Sequence, residues 1–142
     1  VILHLLQTEA ALPPGRVVLL GTPLANAAAA ARVAALDGAD GAFSRSLESL
    51  GPQWDFVGRD IGAIAGTLDT HLGVLHPDLE RPNDGAVAVS ETRVTGLADH
   101  IELAATHAEL VTSREVIDQT VRFLTHGAFG RRRQQLRREL AG

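Results

Sequence analysis

The chain lacks cysteine and methionine altogether across its 142 residues. Without cysteine it can form no disulfide and offers no thiolate for catalysis or metal binding, so cysteine usage says nothing about its compartment. Without methionine, Val1 is not a translational start as written. Long hydrophobic runs are missing too. The opening V-I-L-H-L-L is too short to span a bilayer, and it lacks the basic flank and small-residue cleavage site of a signal peptide. It also has no N-cap or polar lead-in. The expectation is a chain that begins inside a helix, as a piece of a longer polypeptide, with any targeting signal upstream and the localisation unknown. Excess positive charge is absent as well: the formal net charge is −4, which argues against a nucleic-acid-binding body.

That charge is unevenly placed. Arginines 131, 132, 133, 137 and 138 stand against Glu139 in the last sixteen residues, a local +4 that leaves the rest near −8. Such a tail suits either a solvated, frayed helical end or contact with nucleic acid or an anionic surface. The 45% hydrophobic content is that of a globular protein, and the length suits one domain with a real core.

Along the chain, residues 1–11 read as the end of a buried helix, closed by Pro13, Pro14 and Gly15. R-V-V-L-L-G over 16–21 is an unalternating apolar run of the kind covered on both faces in a parallel sheet. Residues 25–36 and 43–50 predict two helices around a D-G-A-D-G break, as a cap over the sheet edge or an elaborated crossover. Trp54 and Phe56 would anchor the return. D-I-G-A-I-A-G over 60–66 predicts a strand whose small residues admit a close helix. A long connection follows, then P-N-D-G, then residues 87–94 as a short strand or extended arm, and a strand over 100–105. Thr112-x-x-Glu115 supplies a capping box for a helix over about 113–126. Ile117, Val121 and Leu124 lie on one face, widened by Val116 and Phe123, and that face is expected to pack on the sheet. Gly127 ends the helix. The order predicts α/β architecture with a mostly parallel sheet.

Two residues could carry chemistry together. Asp84 sits in an Asn-Asp-Gly turn, where an Asp commonly bonds its own backbone. His107 follows an apolar run, where a histidine is commonly a packed or capping residue. Both fall beyond the C-terminal ends of predicted strands, the edge where open α/β sheets build their sites. Lower-ranked groups are His100 beside Asp99, at the start of its strand, and Glu91 as a solvated or arginine-paired residue or an alternative acid. His71 and His76 near Asp69 lack the H-E-x-x-H helix pattern of a metal site.

R-V-V-L-L-G-T-P, D-I-G-A-I-A-G-T, P-N-D-G-A-V-A-V-S-E-T-R and A-A-T-H-A-E-L, in that order and with the closing helix through F-L-T-H-G, resemble the C-terminal half of an α/β-hydrolase of the esterase and lipase type. The resemblance covers 1–129, with the cap at about 24–56 and a basic tail over 130–142. It implies the C-terminal part of that fold, a mostly parallel sheet with flanking helices. It also implies a serine hydrolase acting on a small-molecule carboxylic ester or lipid, with no cofactor and no metal. Asp84 would be the catalytic acid and His107 the base. In that family the serine precedes both on a G-x-S-x-G elbow, which also supplies an oxyanion donor. This chain has no such motif. Its serines at 44, 46, 49, 90 and 113 lie outside one, and the V-I-L-H-L-L segment is similar to the helix that follows the elbow. The chain alone is therefore expected to be inactive. The alternative is a non-catalytic module of the same fold that binds a lipid or protein. Neither a nucleic-acid partner nor a transmembrane segment is expected, and the oligomeric state is open.

Overall fold

A computed structural model describes residues 5–6, 12–25, 56, 58–69 and 79–131. Within them, β1 (Val17–Leu20), β2 (Ile61–Gly66) and β3 (Asp99–Leu103) form a three-stranded sheet in the order β1-β2-β3. Both pairings are parallel. One α-helix, α1 (Arg114–His126), follows β3. The α/β class expected from the sequence is therefore present. Most of the helix over 1–11, the two helices of the cap, Trp54, His71, His76 and the tail beyond Arg131 lie outside the described residues.

The central strand is β2, and all six of its residues are buried. Its two faces build two cores. Gly62 and Ile64 face the side where Leu20, Ile101, Leu103, Leu110, Val116, Phe123 and Phe129 gather. Ile61 and Ala63 face the other side, with Leu19 and Leu24, against which Leu6, Phe56, Val94 and Leu97 pack. The unalternating apolar runs of β1 and β2 thus reflect burial on both faces. Among the described residues β1 pairs with β2 alone.

The close helix approach predicted for β2 takes a specific form. A Cβ placed on Gly62 would lie 2.7–2.8 Å from three atoms of the Phe123 ring. Glycine leaves the hollow that this ring fills, and the ring stacks on Phe129 at 4.8 Å between centroids. This docking corrects the expected face of the helix. Val116 and Phe123 are buried, whereas Ile117, Val121 and Leu124 stay exposed, Val121 by 58%. The apolar arc of α1 is wider than its contact with the sheet, and the fit of Phe123 over Gly62 sets which part of the arc turns inward.

The ends of α1 divide likewise. Gly127 adopts φ 76° and closes the helix as expected. Arg16 donates to the Leu124 and Thr125 carbonyls from Nη1 and to Asp60 Oδ2 from Nε, a cation at the negative end of the helix dipole. The helix starts one residue later than the capping box at Thr112 predicts. Ser113 is the N-cap, without a side-chain cap bond, because the Thr112 and Ser113 amides both turn back to the Glu109 carbonyl.

Residues 87–94 are neither strand nor extended arm. They contain a 3-10 helix, Val89–Thr92, joined to the preceding turn by an isolated Asn83–Ala88 bridge. Side chains bend this stretch: Glu91 Oε2 accepts the Ala88 N–H at 2.9 Å, and Thr92 Oγ1 donates to the Val89 carbonyl at 2.8 Å. The β-branched residues that suggested a strand are buried here without one.

Candidate functional site

The Asn83-Asp84-Gly85 turn is built by its own side chains. Asn83 Oδ1 accepts the Gly85 N–H at 2.9 Å, and its Nδ2 donates to the Glu80 carbonyl at 3.1 Å. Gly85 takes φ 95°, a conformation open to glycine at little cost. Asp84 Oδ1 accepts two backbone N–H groups, from Ala86 at 3.0 Å and Val87 at 2.7 Å. This is the turn chemistry that the local sequence suggests. It uses one carboxylate oxygen only.

The other oxygen is turned to His107. Asp84 Oδ2 lies 2.8 Å from His107 Nδ1, and the His107 amide donates to the Asp84 carbonyl at 2.9 Å. The two readings of Asp84, turn residue and partner of a histidine, are therefore both satisfied, by different atoms. Asp84 is 1% exposed, whereas the His107 side chain is 45% exposed. A carboxylate can only accept, so Nδ1 carries the proton and the Nε2 lone pair is left facing away from Asp84. No described residue bonds Nε2. The Asp84 hydrogen bond raises the His107 pKa above its ordinary 6.5; burial opposes this, and the carboxylate's charge adds to it.

Two glycines that sequence reasoning passed over make room for the pair at the C-terminal edge of the sheet. Gly21, directly after β1, has φ 50°; a Cβ there would lie 2.9 Å from Asp84 Oδ2, 3.0 Å from His107 Nδ1 and 2.7 Å from Leu110 Cδ1. At the end of β2, a Cβ on Gly66 would collide with the Ala105 carbonyl oxygen and lie 2.7 Å from Asp84 Cβ. Glycines ending successive strand predictions were the available signal.

The competing groups sit elsewhere. His100, near the start of β3, pairs through Nε2 with Thr92 Oγ1 at 2.8 Å. Thr92 spends its own proton on the Val89 carbonyl, so it accepts from His100, and Nδ1 is left buried with no partner. The His100 pKa is lowered from 6.5 to about 4, by burial first and the Arg93 charge second, against the opposing charges of Glu102 and Asp99. Asp99 instead accepts the Phe129 amide at 2.9 Å and pairs with Arg131. Glu91, expected to be a solvated or arginine-paired residue or an alternative acid, is buried rather than solvated. Its carboxylate closes the 3-10 helix, and its carbonyl receives the Leu24 and Ala25 amides at 2.7 and 3.0 Å, which ties that helix to the loop after β1. Asp69 pairs with Arg81 at 2.8 Å.

Among the described residues no three His, Asp or Glu side chains group as metal ligands, and no helix is long and apolar enough to cross a membrane. The fold and the pair together define a protein of the α/β class with a buried-carboxylate–histidine pair at the C-terminal edge of a parallel sheet. No protein-family model, curated protein or solved structure matches the chain.

Proposed function

We propose that this chain supplies the acid and the base of a serine hydrolase of the α/β-hydrolase kind acting on small carboxylic esters or lipids, with the serine carried N-terminal to it in a longer polypeptide. One observation carries the reading: a buried carboxylate whose first oxygen is held by two amides and whose second holds a half-exposed imidazole by Nδ1. Asp84 keeps the imidazole in the tautomer whose Nε2 can accept a proton, and it favours the imidazolium that results. His107 takes the serine hydroxyl proton as the oxygen attacks the ester carbonyl. It then delivers that proton to the departing alcohol. Water repeats the sequence on the acyl-enzyme, with His107 again as base. The raised His107 pKa suits a stronger base. His100 suits the role poorly, since its Nε2 is engaged by Thr92 and burial disfavours its charged form. The reaction needs no cofactor.

The test is ester turnover and fluorophosphonate labelling of the longer polypeptide. His107→Ala should abolish turnover, whereas His100→Ala should leave most of it; the reverse result means that His100 is the base. Labelling should vanish when the upstream elbow serine is replaced. Labelling that survives that change, or a polypeptide with no upstream serine elbow, overturns the reading in favour of a binding module.

A further inference from the structure

His107 is held at its ring by one bond, Nδ1 to Asp84, with the Nε2 side half open to solvent. The direction of Nε2 therefore depends on the backbone that carries the ring. That backbone leaves β3 at Leu103, is pinned where Leu68 donates to the Ala105 carbonyl at 3.2 Å, and turns sharply at Thr106. Three bonds close the turn. The Thr106 amide donates to Glu109 Oε2 at 2.9 Å, the Glu109 amide donates to Thr106 Oγ1 at 3.3 Å, and the Leu110 amide donates to the Thr106 carbonyl at 3.1 Å. The first two are the reciprocal pair of a capping box, and His107 and Ala108 are the residues inside it.

We propose that Glu109, clamped to Thr106 across the turn, is a positioning residue for His107, fixing the line along which Nε2 meets a reacting hydroxyl. This rests on the reading of His107 as a general base. The clamp is anchored on both sides. The Glu109 carbonyl receives the Thr112 and Ser113 amides at 3.0 and 2.7 Å, which joins it to the start of α1, and Leu110 is buried against the core beside Gly21. The Glu109 pKa is lowered by its bonds to the Thr106 amide and hydroxyl, so it stays a carboxylate acceptor. The influences on the His107 ring are Asp84 and burial, and Glu109 acts on it through geometry. Misplacing a reacting group by about 1 Å can cost on the order of a hundredfold in rate, so a loosened turn has a measurable consequence even where stability barely changes.

The experiment compares Glu109→Ala and Glu109→Gln in the longer polypeptide, with two readouts: ester kinetics and the His107 titration followed by NMR. Glutamine keeps an acceptor oxygen for the Thr106 amide and removes the charge. In Glu109→Ala, kcat should fall by roughly tenfold to a hundredfold with KM little changed, and the raised His107 pKa should drop toward 6.5 as the Asp84 contact loosens. Glu109→Gln should keep both close to the parent values. Absence of either change in the alanine variant overturns the proposal. A glutamine variant as impaired as the alanine variant also overturns it, because the charge and not the clamp would then be responsible. The hydrolase reading is judged separately by His107→Ala. If turnover persists there, that reading fails, and the titration arm alone decides whether Glu109 positions the ring.

Discussion

Replacing Asp84 by asparagine probes the pair with the least disturbance to the turn around it. The asparagine oxygen can keep the Oδ1 position and both amide bonds, from Ala86 and Val87, so the turn should survive. What changes is the 2.8 Å contact to His107 Nδ1: an amide nitrogen now donates where a carboxylate accepted. Nδ1 must become the acceptor, and the imidazole proton moves to Nε2. Three consequences follow. The hydrogen bond and the charge that raise the His107 pKa are both lost while burial remains, so the pKa should fall from above 6.5 to below it. A charge-assisted hydrogen bond contributes about 1.5–3 kcal/mol and a neutral one about 0.5–1.5. With a ring 45% exposed, the lower ends apply and the net loss should be about 1 kcal/mol. This loss has a pH signature. Because the folded pKa is raised, the His107 contribution is fully present below pH 6.5 and disappears as pH rises through the folded value, so the gap between parent and variant should narrow in that direction. In the longer polypeptide, the wrong tautomer should lower kcat by about 10⁴-fold. NMR titration of the histidines and urea unfolding at two pH values measure the first two effects. If His107 titrates identically in parent and Asp84→Asn, the pair does not form in solution and Asp84 does not orient the imidazole.

Gly62→Ala should cost about 1–3 kcal/mol in urea unfolding, because the added Cβ would lie 2.7 Å from the Phe123 ring; an unchanged midpoint would mean that Phe123 does not dock there. His100 should make the fold acid-sensitive. Its pKa drop from 6.5 to about 4 corresponds to roughly 3 kcal/mol at full effect, and solvent screening of a half-buried ring reduces this to about 1–2. Since the folded pKa is depressed, stability present above pH 6.5 should be lost as pH falls toward 4. His100→Gln, which can still donate to Thr92, should flatten that slope, and an equally steep slope in the variant would assign it to other groups.

The Asp84–His107 pair was readable as a suspicion, because the two residues fall on the same edge of a predicted parallel sheet. Its local signals were ambiguous for a physical reason. An aspartate has two oxygens, and the turn motif reports only the one that serves the backbone. The helix over 114–126 shows the opposite failing. Periodicity found the element and its closing glycine, but it cannot choose among the sectors of a broad apolar arc, and Ile117, Val121 and Leu124 ended on the outside. The capping-box spacing occurs twice, at Thr112-x-x-Glu115 and at Thr106-x-x-Glu109, and the second pair closes the turn that carries His107. Only the path of the chain after β3 separates the two.

By itself the sequence determined the α/β class, two-sided burial of β1 and β2, and the points where the chain must turn, since each follows from local composition and spacing. Tertiary structure alone decided which face of α1 turns inward, that Gly62 is a socket for Phe123, and that Gly21 and Gly66 leave the space in which Asp84 meets His107. Those outcomes depend on contacts between residues far apart in the chain, where the room left by one side chain sets the place of another.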